Sequence, residues 1–201
     1  MQAAQSFNRE DTGTRTKIFR TAAQLFARKG YNGVSMREIS EATGLSKPTI
    51  YYYFGSKEGI YKELLHVSLA QGLSVFDAIV KKDMPVKQKL IEIVKFRFRQ
   101  GREYPEFVKF ILTLFVASER LPFLDHFIQE AENRREILIS LVQEGKDKGE
   151  FGVSAHAELT AEILLGTITH FLWRQINCEK RILSDELAEE IVELLFKGLN
   201  E

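Results

Sequence analysis

The stretch from Ser35 to Lys57, SMREISEATGLSKPTIYYYFGSK, is rich in hydroxyl, basic and aromatic side chains. Its pattern predicts two short helices. Ser35, three residues before Glu38, has the pattern of a capping box at the start of the first helix. Gly44 provides the residue type that most easily ends a helix in a left-handed turn, and Ser46 then caps the second helix. Two helices joined by a short glycine turn are typical of a helix-turn-helix, whose second helix enters the major groove of DNA.

The second helix separates its side chains into an inner and an outer face. At 100° per residue, Ile50 and Phe54 fall on one side and should pack on a core, whereas Pro48 and Tyr52 point the other way. An outer face of Pro, Thr and Tyr is unusual for a solvated helix, which normally carries Glu and Lys. A helical hairpin that only packs, with its tyrosines half-buried, is the alternative. The caps, the turn and the outer face together favour DNA contact.

The stretch from about Thr16 to Tyr61 resembles the N-terminal DNA-binding domain of TetR-type transcriptional regulators. The positions that carry the resemblance are Ala22, Ala23, Leu25, Phe26, Lys29, Gly30, Tyr31, Val34, Ser35, Ile39, Thr43, Gly44, Leu45, Ser46, Thr49, Ile50, Tyr51, Tyr53, Phe54, Ser56, Lys57, Glu58, Ile60 and Tyr61. Two positions depart from the family pattern, Ser40 where Ala is usual and Pro48 where a small residue is common. Pro48 lies in the first helical turn, where a missing N–H costs nothing, but it alters the surface that faces the groove.

The resemblance and the placement near helix N-termini together assign roles in DNA binding. The residues expected to face bases are Lys47, Pro48 and Tyr52. The residues expected to hold phosphates are Ser35, Arg37, Thr49, Tyr51 and Lys57. Phosphate contacts set the register of a protein on DNA, and base contacts read the sequence.

Length, charge and cysteine content set the outer bounds. The 201 residues carry no net charge, yet residues 1–62 hold ten Lys and Arg against five Asp and Glu, and the remainder holds 18 against 23. A basic N-terminal module on an acidic body fits a protein that offers one end to a polyanion, although a solvated imbalance without a partner has the same composition. Cys178 is the one cysteine, which suits a reducing cytoplasm. We expect it to behave as a small buried or half-buried hydrophobe.

The fold expected from the sequence is all-α. Helical periodicity runs to the C-terminus, interrupted at Met84–Pro85, Pro105, Pro122 and the Gly149 turn, and gives about nine helices. We divide the chain into a helix-turn-helix DNA-binding domain at 1–62, with 1–13 as a flexible tail, and a helical effector-binding and dimerisation domain at 63–201. No apolar run reaches the roughly 20 residues that span a bilayer, and the N-terminus lacks the apolar core of a signal peptide.

An eighth helix, over about Ala155 to Asn177, is apolar nearly all round. A helix that is apolar on every side must be buried on every side, and part of that burial is expected to come from a second copy of the chain. The ninth helix would join it in a four-helix interface, which the family resemblance also implies. The residues assigned to this interface are Leu165, Ile168, Leu172, Ile191, Leu194 and Leu195. A monomer with a central eighth helix is the alternative.

The C-terminal body also carries the residues of a tentative effector pocket, Arg97, Phe98, Phe110, Phe127, His170 and Trp173. Arg97 falls in the middle of the apolar face of its helix, where a guanidinium must be paired or reach water. It either anchors an acidic group of a largely apolar effector, forms a salt bridge to a buried Glu, or snorkels to the rim. His170 is either a core or interface histidine or a polar contact to an effector.

No motif for catalysis or metal binding is present. The sequence has no GxSxG, no P-loop and no GxGxxG, and its histidines are too scattered for a zinc site. We therefore expect no enzyme, no cofactor and no membrane partner. The resemblance implies a dimeric repressor that is released from its operator by an effector, with activation as the alternative. We expect the protein to be cytoplasmic, the operator to be palindromic and the effector to be small and largely apolar. An adaptor that kept the fold without operator binding and a helical enzyme built around Arg97 are the hypotheses from other classes.

Overall fold

The computed structural model describes residues 9–114, 121–150, 156–178 and 181–200, and in these ranges the chain is helical apart from turns and connections. Nine α-helices and one 3-10 turn lie in the described ranges, which confirms the all-α prediction. They are α1 (Arg9–Lys29), α2 (Met36–Thr43), α3 (Lys47–Phe54), α4 (Lys57–Val80), α5 (Val86–Glu103), α6 (Pro105–Leu114), the 3-10 turn (Pro122–Leu124), α7 (Asp125–Asp147), α8 (Ala157–Asn177) and α9 (Asp185–Asn200).

The helix boundaries differ from the expected ones at two places. The first helix already begins at Arg9, so 9–13 are helical rather than part of a tail. One mid-helix glycine, Gly13, costs only about 1 kcal/mol, which a helix of 21 residues offsets. Pro122 opens a 3-10 turn, and the long helix expected there starts at Asp125. The sequence pattern predicts that the sixth helix, which begins after Pro105, runs to about Ser118, and that end lies outside the described residues.

Two hydrophobic cores organise the helices. The first joins α1, α2, α3 and the start of α4 with side chains from α6, the 3-10 turn and α7, namely Phe110, Leu124 and Phe127. The second joins the end of α4 with α5, α6, α7, α8 and α9. The core beneath the DNA-binding helices therefore contains residues from far along the chain, and the C-terminal body packs directly on it.

Helix α6 makes the main contact between that body and α1. The ring of Phe107 lies 5.1 Å from that of Phe19, and the ring of Phe110 meets that of Tyr61 edge-on at 5.0 Å. Both geometries are favourable for aromatic pairs. A displacement of α6 therefore acts on α1 by contact, in addition to any displacement carried along α4.

Helix α8 has one face in the core of its own protomer and one face exposed. The inner face consists of Thr160, Ala161, Leu164, Ile168 and Leu172. Ile168 and Leu172 are only 3% and 1% exposed, so assigning them to the dimer interface was wrong, because the protomer already buries them. Cys178, expected to be buried or half-buried, is exposed just beyond the helix.

Candidate nucleic-acid interface

The first short helix, α2, begins with the expected capping box. The Ser35 hydroxyl accepts a hydrogen bond from the Glu38 amide at 3.2 Å, and the Glu38 carboxylate accepts from the Ser35 amide at 2.8 Å. The Lys29 ammonium donates to the same carboxylate at 2.6 Å. These hydrogen bonds, first from Lys29 and then from Ser35, lower the pKa of Glu38 to about 2. The carboxylate therefore holds the start of α2 and the end of α1 together.

The turn between α2 and α3 is held by side-chain hydrogen bonds. Gly44 has φ +65°, a conformation that side chains other than glycine rarely adopt. The Thr43 hydroxyl donates to the Ile39 carbonyl at 2.7 Å, and the Ser40 hydroxyl donates to the Leu45 carbonyl at 2.6 Å. Ser40, one of the two departures from the family pattern, thus links α2 to the segment that leads into α3 and helps to set the angle between them.

The second short helix, α3, presents the outer face expected from its sequence. The Ser46 hydroxyl caps it by accepting from the Thr49 amide at 3.2 Å, and Pro48 occupies the first turn. Ile50 is fully buried beneath, whereas Tyr52 is 81% exposed. The three residues predicted to face bases, Lys47, Pro48 and Tyr52, are all exposed.

The residues predicted to hold phosphates fall into two groups. Arg37 and Tyr51 are exposed, and the Arg37 guanidinium has only a loose ion pair with Glu41, at 3.5 Å. Thr49, half-buried, shares a 2.8 Å hydrogen bond with the Ser46 hydroxyl. Arg37 and Tyr51 therefore need to break few existing interactions in order to contact a phosphate.

Ser35 is engaged by its predicted capping-box partner, and Lys57 has a structural partner that the sequence pattern did not reveal. The Ser35 hydroxyl donates to the Glu38 carboxylate at 3.0 Å. The Lys57 ammonium donates to the Tyr31 carbonyl at 2.9 Å and lies 4.1 Å from the centre of the Tyr31 ring. The cation–π contact and the hydrogen bond tie the start of α4 to the loop after α1. Tyr31 matches the family pattern, and that match was the signal in the sequence for this contact. The sequence analysis did not connect Tyr31 with Lys57.

The residues of the tentative effector pocket do not come together in the described part of the structure. Phe110 and Phe127 belong to the first core, and Phe98 lies in the second. His170 and Trp173 are exposed on α8, with ring centres 6.4 Å apart. Arg97 is half-buried and donates to the Gln100 side-chain oxygen at 2.7 Å. The prediction of a single cavity lined by all six residues was wrong, because the helix faces that carry these residues point in different directions.

Comparison with known proteins decides the family. Residues 18–64, which contain the helix-turn-helix, match the sequence profile of the bacterial regulatory proteins of the tetR family. Over 198 residues the chain is 24% identical to the HTH-type transcriptional repressor KstR2 of Rhodococcus jostii strain RHA1, covering 94% of this chain and 92% of that repressor. Residues 18–64 therefore belong to the TetR family of DNA-binding domains. The chain is accordingly a DNA-binding transcription regulator and not an enzyme.

Solved TetR-family structures share the fold along the whole chain. The ketosteroid transcriptional regulator KstR2 of Mycobacterium tuberculosis superposes with a TM-score of 0.81 at 18% identity, covering 100% of both chains. AibR, solved with isovaleryl coenzyme A and operator DNA, gives 0.74 at 18% identity over 91% of this chain and 98% of its own. FadR of Bacillus subtilis, solved with stearoyl-CoA, gives 0.71 at 21% identity over the same shares. Among the described helices of this chain, none is long and apolar enough to cross a membrane.

Proposed function

We propose that this TetR-family protein is a cytoplasmic repressor that binds a palindromic operator as a homodimer and is released by a small, largely apolar effector. The observation that carries the proposal is the outer face of α3, where Lys47, Pro48 and Tyr52 are exposed above a fully buried Ile50. We retain the division into a DNA-binding domain at 1–62 and an effector-binding and dimerisation domain at 63–201.

In the proposed complex, α3 lies in the major groove and α2 lies against the backbone. Lys47 and Tyr52 reach base edges, and Pro48 offers an apolar contact to a thymine methyl group. Arg37, Thr49 and Tyr51 contact phosphates. Lys57 can do so with a hydrogen atom that it does not give to Tyr31, since an ammonium has three. Ser35 would have to exchange the Glu38 carboxylate for a phosphate.

The outer faces of α8 and α9 supply the proposed dimer interface. Apolar or small residues recur along α8 with helical spacing and remain exposed or half-buried in the protomer, and α9 adds a second row. The α8 row is Leu159, Ile163, Gly166 and Trp173, with the polar His170 among them, and the α9 row is Leu187, Ile191 and Leu194. Exposed apolar surface of this kind marks an interaction site. To bind successive major grooves, the dimer has to hold its two α3 helices about one turn of DNA apart, about 34–36 Å or a little more.

Effector control follows from the connection between the two cores. Two solved relatives carry acyl thioesters of coenzyme A, which supports a ligand with an apolar acyl part for this chain as well. A ligand that favours a body conformation with more widely spaced α3 helices weakens DNA binding by its differential affinity, typically about 1–3 kcal/mol. Helix α4 and the contact between α1 and α6 would carry the displacement.

The test is a fluorescence titration of duplex DNA from the region upstream of the protein's own gene, against random duplex, at two salt concentrations. We expect specific binding that weakens steeply with salt, since phosphate contacts release counterions. Tyr52→Ala should reduce specific binding, and Tyr104→Ala should not, because the exposed Tyr104 lies in the body. Arg37→Gln should flatten the salt slope by about 0.9 per lost phosphate contact, whereas Lys82→Gln, exposed in the turn after α4, should leave it unchanged.

If the protein binds both duplexes equally and weakly, and does the same with other candidate operators, the result would support the adaptor instead. A Tyr52→Ala protein that binds a specific site as tightly as the wild type would refute the base-contact assignment.

A further inference from the structure

Two half-buried arginines lie on α5 and α7, two helices that pack against each other. Arg97 on α5 is flanked on the helix by the buried residues Val94, Phe98 and Gly101, and Arg134 lies on α7 one turn before the buried Leu138. Burial lowers the pKa of Arg97 to about 10, and the nearby positive charge of Arg134 lowers it further in the same direction. Burial also lowers the pKa of Arg134, against the weaker opposite effect of Glu130. With a pKa of about 10, Arg97 is still protonated at neutral pH.

Neither guanidinium has a carboxylate within 4 Å in the described part of the chain. Arg97 donates to the amide oxygen of Gln100 at 2.7 Å, and Arg134 donates to the backbone carbonyl of Glu130 at 3.1 Å. The neighbouring Arg135 is different, since it forms ion pairs with three glutamates of α7 and α8, Glu136, Glu158 and Glu162. The salt bridge to a buried Glu considered for Arg97 is therefore not formed among the described residues.

Two half-buried guanidinium groups that form no ion pair among the described residues are unfavourable unless an anion joins them. Arginine is also the side chain best suited to bind planar or tetrahedral oxyanions, because it presents N–H groups in a fixed fork. We propose that Arg97 and Arg134 together bind an anionic oxygen group of the effector, a carboxylate or a phosphate. This inference rests on the proposed function, because it names the chemistry of the effector.

An apolar surface lies next to the pair. Gln100, the partner of Arg97, also lines an open groove of about 510 Å³ between α4 and α5, together with Val75, Phe96 and Tyr104. Arg99 and Glu103 line the same groove with opposite charges that offset each other. A ligand in this groove can lay an apolar chain on Val75 and Phe96 and direct its acidic end past Gln100 toward Arg97. The site thus fits an amphipathic anion better than a neutral hydrocarbon.

The experiment measures binding of three probes to the full-length protein by calorimetry and by thermal unfolding. Dodecanoate offers a carboxylate, dodecanoyl-CoA offers phosphates, and dodecanol offers neither. We expect at least one anionic probe to bind wild type about 10- to 100-fold more tightly than it binds Arg97→Met or Arg134→Met, the range for hydrogen bonds to a charged group. Dodecanol should bind the wild type and both variants with the same affinity. The probe that discriminates identifies the anion as carboxylate or phosphate.

Two controls separate a ligand site from a structural role. Lys82→Met removes an exposed cation in the turn after α4, outside the groove, and should bind the anionic probes with near wild-type affinity. Without ligand, Arg97→Met should unfold at a higher temperature than wild type, because it removes a desolvated charge that lacks a counter-charge.

The proposal is overturned if no anionic probe binds wild type more tightly than Arg97→Met and Arg134→Met. It is also overturned if ligand-free Arg97→Met unfolds at a lower temperature than wild type. Operator binding, measured on the same preparations, keeps the two proposals apart. If the wild type binds no operator but binds an anionic probe more tightly than the arginine variants do, the repressor proposal is refuted and the anion site is retained.

Discussion

Replacement of Leu194 by alanine tests the proposed dimer directly. Leu194 lies on the outer face of α9 and is 68% exposed in the protomer, the most exposed aliphatic side chain among the large hydrophobic residues described. If α8 and α9 form the interface, a partner covers this surface. If they do not, the change removes an exposed side chain and has almost no effect.

The expected effect follows from the exposed fraction. Full burial of a leucine side chain stabilises by about 1.5–3 kcal/mol, so covering the exposed part of Leu194 contributes about 1–2 kcal/mol per copy. A two-fold interface contains the residue twice, which makes the total about 2–4 kcal/mol. The dimer dissociation constant of Leu194→Ala should therefore rise roughly 30- to 700-fold.

Sedimentation equilibrium over a range of protein concentrations measures that constant. Ile128→Ala is the matched control, because Ile128 is an aliphatic residue of similar exposure, 54%, on α7 rather than on α8 or α9. It should leave the constant unchanged. An unchanged constant for Leu194→Ala, or a larger effect for Ile128→Ala, would refute the assignment of this face.

Two further predictions concern stability. The pKa of Glu38 is lowered to about 2 from an ordinary value near 4.5, so its stabilising contribution is present above about pH 4.5 and is lost as the pH falls toward 2. The unfolding temperatures of wild type and Glu38→Gln should accordingly differ most near neutral pH and converge in acid, and a difference that grows in acid would contradict the capping network. A Cβ at Gly101 would lie 2.6 Å from Leu172 and 2.7 Å from Leu183, so Gly101→Ala should lower the free energy of unfolding in urea by about 1 kcal/mol, since overpacking costs about 1–3 kcal/mol and the gain in helix propensity is smaller. Gly13→Ala, where a Cβ meets nothing within 4 Å, should instead raise it by up to about 1 kcal/mol, and equal effects at the two glycines would argue against the packing of α5 on α8.

The sequence was sufficient to predict the helix-turn-helix because its determinants are local. The Ser35–Glu38 box, the left-handed Gly44 and the Ser46 cap each depend on residues within a few positions of one another. The inner and outer faces of α3 follow from helical periodicity alone, and Ile50 and Tyr52 lie as it requires. The family profile matches this same segment.

The sequence by itself thus determined the helices, their caps, the exposed face of α3 and the family. Only the tertiary structure decided which side of α8 meets its own protomer, that Phe110 and Phe127 join the core under the DNA-binding helices, and that Arg97 donates to Gln100 rather than to a glutamate among the described residues. In an apolar helix such as α8, several faces are equally suited to pack on the core. Which of them does so depends on helices that are far away in the chain. Local hydrogen bonds are encoded at spacings of three or four residues, whereas contacts between distant helices exist only once the cores have packed.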